Sequence, residues 1–293
     1  MNNYFEYKTV KILIIGMSFI LFLYGCNEQA NKTKGIIDMD NNPTISESTV
    51  KKLRSIQNIK IMFAHHSVGK NILDGLNDIA MEAGVKINVA SINNKIKMDT
   101  LKFVDFNPGK NTLPKTKVDG FVKKIEGLGA DYNPDIAFMK FCYIDFSPET
   151  NVNELFNYYK DKIEKLKKGK PDIIFVHLTV PLVAELNTVK SKIKRILGMD
   201  ARQKASNIKR NEFNKLINDS FFNEPIFDIA RIESTRKDGS REQFTKNGKN
   251  YYRMLPEYTT DGGHLNKLGK YVLATELVNF LDKTINEKHI TIK

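Results

Sequence analysis

"FAHHSVGKNI", residues 63–72, closes an apolar run with two histidines, a serine and a glycine. Upstream, "IKIMFAHH" (59–66) is a short apolar stretch of the kind that forms a buried strand. Downstream, "GKNILDGLNDIAMEAG" (69–84) carries apolar residues at helical spacing and stops at Gly84. Ser67 therefore falls where a strand gives way to a helix, with Gly69 two residues on. That is half of a nucleophile elbow: the hydroxyl is exposed at the sheet edge, and the helix N-terminus favours developing negative charge. The same position also suits a plain helix cap.

Outward from this stretch the chain alternates. "VKINVAS" (85–91), "DIAFMKFCYI" (135–144), "DIIFVHLTV" (172–180) and "PIFDIA" (225–230) are expected strands. "VDGFVKKIEGLG" (118–129), "NVNELFNYYKDKIEKLKKG" (151–169), "ASNIKRNEFNKLINDSFF" (205–222) and residues 265–283 are expected helices. "SESTVKKLRSIQ" (46–57) starts a short helix capped by Ser46 or Ser48. Such alternation indicates an α/β fold with a mainly parallel sheet, whose reactive groups gather at the carboxyl ends of the strands. Two long segments, 91–115 and 229–263, read as loops, and loops of that length are usually functional or disordered.

The 293 residues, 41% of them hydrophobic, suffice for one large core. At the N-terminus Lys8 and Lys11 precede "ILIIGMSFILFLYGC", uncharged and about as long as a secretory apolar region. "LYGC" resembles the lipobox of bacterial lipoproteins, which implies acylation of Cys26 and cleavage before it. A plain signal peptide or a single N-terminal anchor is the alternative. Residues 1–26 are thus expected to be a signal segment, 27–50 a polar tether, and 51–293 the folded domain. Cys142 is then left without a disulfide partner and sits in an apolar stretch, as an inert buried thiol would. The net charge of +12 belongs almost wholly to the part after Cys26. Outside a membrane it suits anionic head groups or an anionic wall polymer, or is simply a solvated lysine-rich surface. An export signal and the lack of a nucleic-acid motif argue against nucleic acid as a partner.

"DGGHLNKLG" (261–269) supplies what a serine nucleophile needs. A serine hydroxyl is weak until a base takes its proton, and histidine does so well when a carboxylate fixes its tautomer. Asp261 and His264 stand three apart around two glycines, so one tight turn can bring them together. Of five histidines, His65, His66 and His264 fall in these two fragments.

"DGGHLNKLGKYVLA" resembles the final block of the SGNH (GDSL-like) hydrolases. "HHSVG" stands where that family carries its nucleophile, and "PDIAFMKFCYID", "IIFVHLTVPLV" and "IFDIARIES" resemble its intervening blocks in order, over residues 55–285. The resemblance implies a three-layer α/β/α flavodoxin-like domain with a mainly parallel sheet. It further implies Ser67 as nucleophile, His264 as base, Asp261 as its orienter, no cofactor, and ester hydrolysis through an acyl-enzyme. It assigns the oxyanion hole to Ser67 and Gly109, with Asn111 assisting.

The departures are specific. His65-His66-Ser67 replaces the usual Gly-Asp-Ser, and Ile144 falls where the family's oxyanion asparagine is expected. Ile144 cannot donate a hydrogen bond; Lys140, Cys142 and Tyr143 are the nearby side chains that could. Other readings stay open: a metal-dependent hydrolase using His65, His66, Asp261 and His264, a glycan-binding lipoprotein without turnover, or acyl transfer in place of hydrolysis. The expected substrate is a small acyl ester, acetyl first, on a surface glycan or wall polymer. The expected location is the outer face of the bacterial cytoplasmic membrane. Tyrosines of "NYYRMLPEY" (250–258) could stack on a sugar or pack a loop onto the core. Asp228 and Glu233 could contact substrate or serve as caps.

Overall fold

The computed structural model describes residues 45–92, 102–129, 132–189 and 199–288, with 193, 196 and 197 between them. The expected export segment, Cys26, most of the expected tether and His289 lie outside these residues. Among the described residues no helix is long and apolar enough to cross a membrane.

Helix α1 (Glu47–Ile56) starts inside the stretch assigned to the tether: Ser46 Oγ accepts from Thr49 N at 3.2 Å, and Leu53 and Ile56 bury its inner face. Strand β1 (Ile61–Ala64) is buried throughout. Ile61 and Phe63 pack with one set of helices, and Met62 and Ala64 with the other. This two-faced burial is why the segment reads as an unbroken apolar run. Helix α2 (Val68–Glu82) follows directly.

Strand β2 is confined to Val89–Ser91, shorter than expected. Strand β3 (Phe103–Phe106) lies inside the segment read as a loop. "FVDF" is only four residues long and carries a charge. Asp105 is accommodated because it accepts from His65 Nε2 at 3.1 Å and from Ser91 Oγ at 2.6 Å. Helix α3 (Pro114–Glu126) begins earlier than its apolar spacing implied, at a proline, which loses no hydrogen bond in a first turn.

Strand β4 (Ile136–Met139) ends well before residue 144. Lys140 N still bonds Ala64 O, but the chain then turns so that Asp145 Oδ2 accepts from Cys142 N at 2.6 Å. Helix α4 (Val152–Gly169), capped by Asn151, and strand β5 (Ile174–Leu178) lie close to expectation. Helix α5 (Met199–Ser220) and strand β6 (Ile226–Phe227) follow.

The segment 229–263 is largely ordered structure, contrary to its reading as a loop. It holds helix α6 (Ile229–Ser234) and an antiparallel hairpin, β7 (Gln243–Lys246) and β8 (Lys249–Tyr252). Asn247 and Gly248 form the hairpin turn, both with positive φ (51° and 73°), the backbone that Asn-Gly favours in a two-residue loop. Helix α7 (Lys267–Glu287) is capped by Asn266 Oδ1, which accepts from Gly269 N at 3.0 Å.

The six strands pair in parallel in the order β2-β3-β1-β4-β5-β6. Helices α1, α2, α6 and α7 cover one face; α3, α4 and α5 cover the other. This is the mainly parallel sheet that the alternation indicated, with the α/β/α layering that the resemblance implied. From β1 the chain moves first to β2 and β3 on one side and then crosses to β4 on the other. The carboxyl end of β1 therefore borders the crevice where such sheets place their sites.

Asp228 caps α6, accepting from Arg231 N, and also accepts from Thr179 Oγ1. Glu233 is wholly buried: one carboxyl oxygen accepts from Leu182 N, and the other has no hydrogen-bond partner among the described residues. Both residues thus serve structure. Burial pushes the Glu233 carboxyl up to about 8, against an ordinary value of 4.5. Over that window the folded chain keeps a proton that the unfolded chain has released, so its stability falls as pH rises. Glu233→Gln is expected to lose less stability than the parent between pH 5 and pH 8, read as the shift of the urea midpoint. An equal shift in both proteins would refute this linkage.

Candidate active site

Ser67 follows β1 after Ala64, His65 and His66, at the start of α2, and its hydroxyl caps no backbone N–H of that helix. The cap role left open by the sequence is thus unused. Gly69 has a packing reason: a Cβ there would lie 2.4 Å from the Cβ and Cγ of His65. His65 is buried against Phe63, with Nε2 on Asp105. Burial tends to raise the Asp105 carboxyl, but hydrogen bonds from His65 and Ser91 outweigh it and hold the group below its ordinary range.

His66 takes a different direction. Its Nε2 lies 2.9 Å from the Gly109 carbonyl oxygen, so Nε2 carries the proton and donates. Burial, then the charge of Lys117, pushes the His66 imidazole below its usual range. The peptide group after Gly109 is held at both ends, because Lys110 N donates to Thr116 Oγ1 at 3.0 Å. Next to it, Asn111 Oδ1 accepts from Lys117 Nζ at 2.8 Å, and Lys117 pairs with Asp145 at 2.6 Å.

The turn at 261–264 is built around one carboxylate. Asp261 Oδ1 accepts from Gly263 N and from His264 N, each at 2.8 Å, and Oδ2 lies 2.6 Å from His264 Nδ1. A carboxylate accepts, so Nδ1 carries the imidazole proton and Nε2 is left with its lone pair. Burial tends to raise the Asp261 carboxyl; the His264 and Gly263 N–H groups and the imidazole outweigh it and hold the group far below the usual carboxylate range. Gly262 has φ +95°, and a Cβ on Gly263 would lie 2.5 Å from Tyr143 Cζ. Each glycine of the motif thus has its own cause: the first permits the turn, the second admits a tyrosine ring.

Two contacts tie this turn to α2 and to the exit of β4. Asn71, whose N–H bonds Ser67 O one turn along α2, accepts from Leu265 N at 3.2 Å. Tyr143, just beyond β4, brings its Oη to 3.5 Å from His264 Nε2, its ring edge-on to the imidazole. Ser67 thus follows the carboxyl end of β1, and Tyr143, which follows β4, reaches His264; among the described residues no hydrogen bond joins Ser67 to His264. His65 and His66 turn to separate partners, Asp105 and the Gly109 carbonyl oxygen. Among the described residues no three His, Cys, Asp or Glu are placed to hold an ion.

No protein-family model matches the chain, and no curated protein matches it. Among solved structures it is similar to a lipase/acylhydrolase from Enterococcus faecalis, with 15% identity over 77% of this chain and 96% of that one, at a TM-score of 0.47. A carbohydrate esterase family 3 protein from Talaromyces cellulolyticus gives 12%, 80%, 100% and 0.43. The lipopolysaccharide acetyltransferase periplasmic domain of Salmonella ser. Paratyphi A gives 16%, 81%, 90% and 0.41. At such identities, and with each TM-score below 0.5, these likenesses assign the chain neither family nor activity.

Several residues that shape the site escaped sequence reasoning. Asn71 is a polar position in an amphipathic helix, with nothing local to mark it. Lys117 carries the commonest surface charge, yet it is fully buried; its place one turn before Phe121, on the buried face of α3, was the available signal. Cys142, by contrast, is buried as its apolar stretch implied, with Lys140 Nζ 3.6 Å from its sulfur. A cleft of about 620 Å³ lies elsewhere, between α5 and the β7–β8 hairpin, and includes Tyr251 and Tyr252 but none of Ser67, Asp261 and His264. Arg241 stacks 3.4 Å over the Tyr252 ring, which favours the packing role for that tyrosine.

Proposed function

We propose that this chain is a serine esterase of the SGNH type, exported and lipid-anchored through Cys26, that removes a small acyl group, acetyl first, from a surface glycan or wall polymer. The observation that carries the reading is the Asp261–His264 pair, which leaves Nε2 as an acceptor, in a turn that Leu265 N bonds to Asn71 on the helix that Ser67 precedes. In this mechanism Ser67 Oγ attacks the ester carbonyl while Nε2 takes its proton. Asp261 stabilises the resulting imidazolium. The N–H groups of Ser67 and Gly109, assisted by Asn111, hold the oxyanion, and the N-terminus of α2 favours the same charge. Collapse expels the alcohol, which takes the proton from Nε2. Water then attacks the acyl-enzyme by the same route, giving the free acid and restoring Ser67.

The second reading, a glycan-binding domain without turnover, is favoured by Ile144. It stands exposed where the family's asparagine is expected, and it has no donor.

Release of acetate from an aryl acetate, with and without a chelator, separates these readings. Activity is expected to survive the chelator. In Asp261→Asn, kcat is expected to fall by about 10⁴-fold, because the amide favours the wrong imidazole tautomer. Loss of activity to the chelator, or an Asp261→Asn variant as fast as the parent, would refute the triad.

A further inference from the structure

The family's third block supplies a side-chain donor to the oxyanion. Here Ile144, aligned at that position, has an apolar side chain and is 41% exposed. Its neighbour Tyr143 turns the other way and brings a hydroxyl to the catalytic base. We propose that Tyr143 Oη is the side-chain donor to the oxyanion, replacing the missing asparagine; this rests on the serine-esterase reading above.

The chemistry at His264 Nε2 makes the switch of partner automatic. In the resting enzyme Nε2 carries a lone pair, and the Tyr143 hydroxyl is the donor facing it at 3.5 Å. When Ser67 attacks, its proton moves to Nε2, which then donates and can no longer accept. In the same step the substrate carbonyl oxygen becomes an anion close by. The Tyr143 hydrogen loses one acceptor as a stronger one forms, and it turns to the oxyanion. The long resting distance suits a contact that tightens only once substrate is bound.

The surroundings fix the ring for this role. Gly263 admits it: a Cβ there would lie 2.7 Å from Oη. Arg210 Nε donates to Tyr143 O at 2.8 Å, and its guanidinium lies 5.9 Å from the ring centroid. Arg210 is itself held by Asn207 Oδ1 at 2.5 Å. Burial, and then the charge of Asp261, pushes the Tyr143 phenol above its ordinary range, so it keeps its proton and stays a donor.

Tyr143→Phe removes only the hydroxyl. It is tested against an aryl acetate and the matching thionoacetate, whose sulfur accepts hydrogen bonds poorly. In the variant, kcat for the oxygen ester is expected to fall by about 10²-fold with little change in KM. The parent's preference for the oxygen ester is expected to collapse with it. The rate of Ser67 modification by an aryl fluorophosphonate, whose phosphoryl oxygen needs the same donor, is expected to fall in parallel. That rate serves as the readout if aryl esters turn over too slowly to measure. Two results would overturn the proposal alone: Ser67-dependent rates unchanged in Tyr143→Phe, or lower rates with the oxygen-over-sulfur preference intact, which is what a merely structural contact with His264 would give. Rates that survive Ser67→Ala would overturn the esterase reading, and this proposal with it.

Discussion

Ser67→Ala is expected to lower kcat on aryl acetates by on the order of 10⁴- to 10⁶-fold while leaving thermal stability nearly unchanged. The kinetic part follows from the state of His264. Asp261 holds the proton on Nδ1, so Nε2 exists as a base and has no work without a hydroxyl to deprotonate. The stability part follows from the cap. Losing a serine cap usually costs about 0.5–2 kcal/mol, but the Ser67 hydroxyl bonds no N–H of α2, so that loss does not arise. Initial rates and a thermal melt on one preparation check both. A large fall in Tm would make Ser67 a structural residue, and an unchanged rate would remove it from the chemistry.

Asp145→Ala is expected to do the reverse, damaging stability first. This carboxylate is fully buried and accepts three hydrogen bonds: from Lys117 Nζ at 2.6 Å, Cys142 N at 2.6 Å and Thr112 N at 2.8 Å. It joins the loop after Gly109 to the exit of β4, the two segments that flank Ser67. Its removal leaves the Lys117 ammonium buried with Asn111 Oδ1 as its remaining partner. Breaking a buried pair from one side costs about 3–5 kcal/mol. At roughly 2–4 °C per kcal/mol for a domain of this size, Tm should fall by about 6–20 °C. Adding Lys117→Met should recover much of that loss, because replacing both charges removes the stranded ion. A double variant no more stable than Asp145→Ala would show that the pair's charge balance is not what holds these segments.

These two sites also mark how far the sequence could be read. The Ser67 region was legible because β1 is buried on both faces and α2 carries a clean helical period, so the junction between them announces itself. The Asp261–His264 turn was legible because the four residues contain their own chemistry and their own geometry. Asp145 and Lys117 were not, since a lysine in a helix reads as surface until the partner arrives from another part of the chain. Strand β3 was hidden for a similar reason: Asp105 breaks its apolar run, and the histidine and serine that satisfy Asp105 come from separate segments. The hairpin at 243–252 is different, because Asn247-Gly248 is a local signal that was present and passed over. Strand β4 was read too long because Phe141, Cys142 and Tyr143 continue its composition. There Cys142 N donates to Asp145 Oδ2 and Asp145 N to Cys142 O, a turn stabilised by a side chain that lies beyond the apolar run, and Tyr143 within it reaches His264.

The most direct measurement is the mass of the intact protein after reaction with an aryl fluorophosphonate, followed by peptide mapping. Attack by an activated serine forms the Oγ–P bond and expels fluoride. A single phosphonyl adduct on the peptide containing Ser67, absent from Ser67→Ala and slow to form in Asp261→Asn, is the expected result. An adduct on a different residue, or full ester turnover by protein whose Ser67 stays unmodified, would contradict Ser67 as the nucleophile.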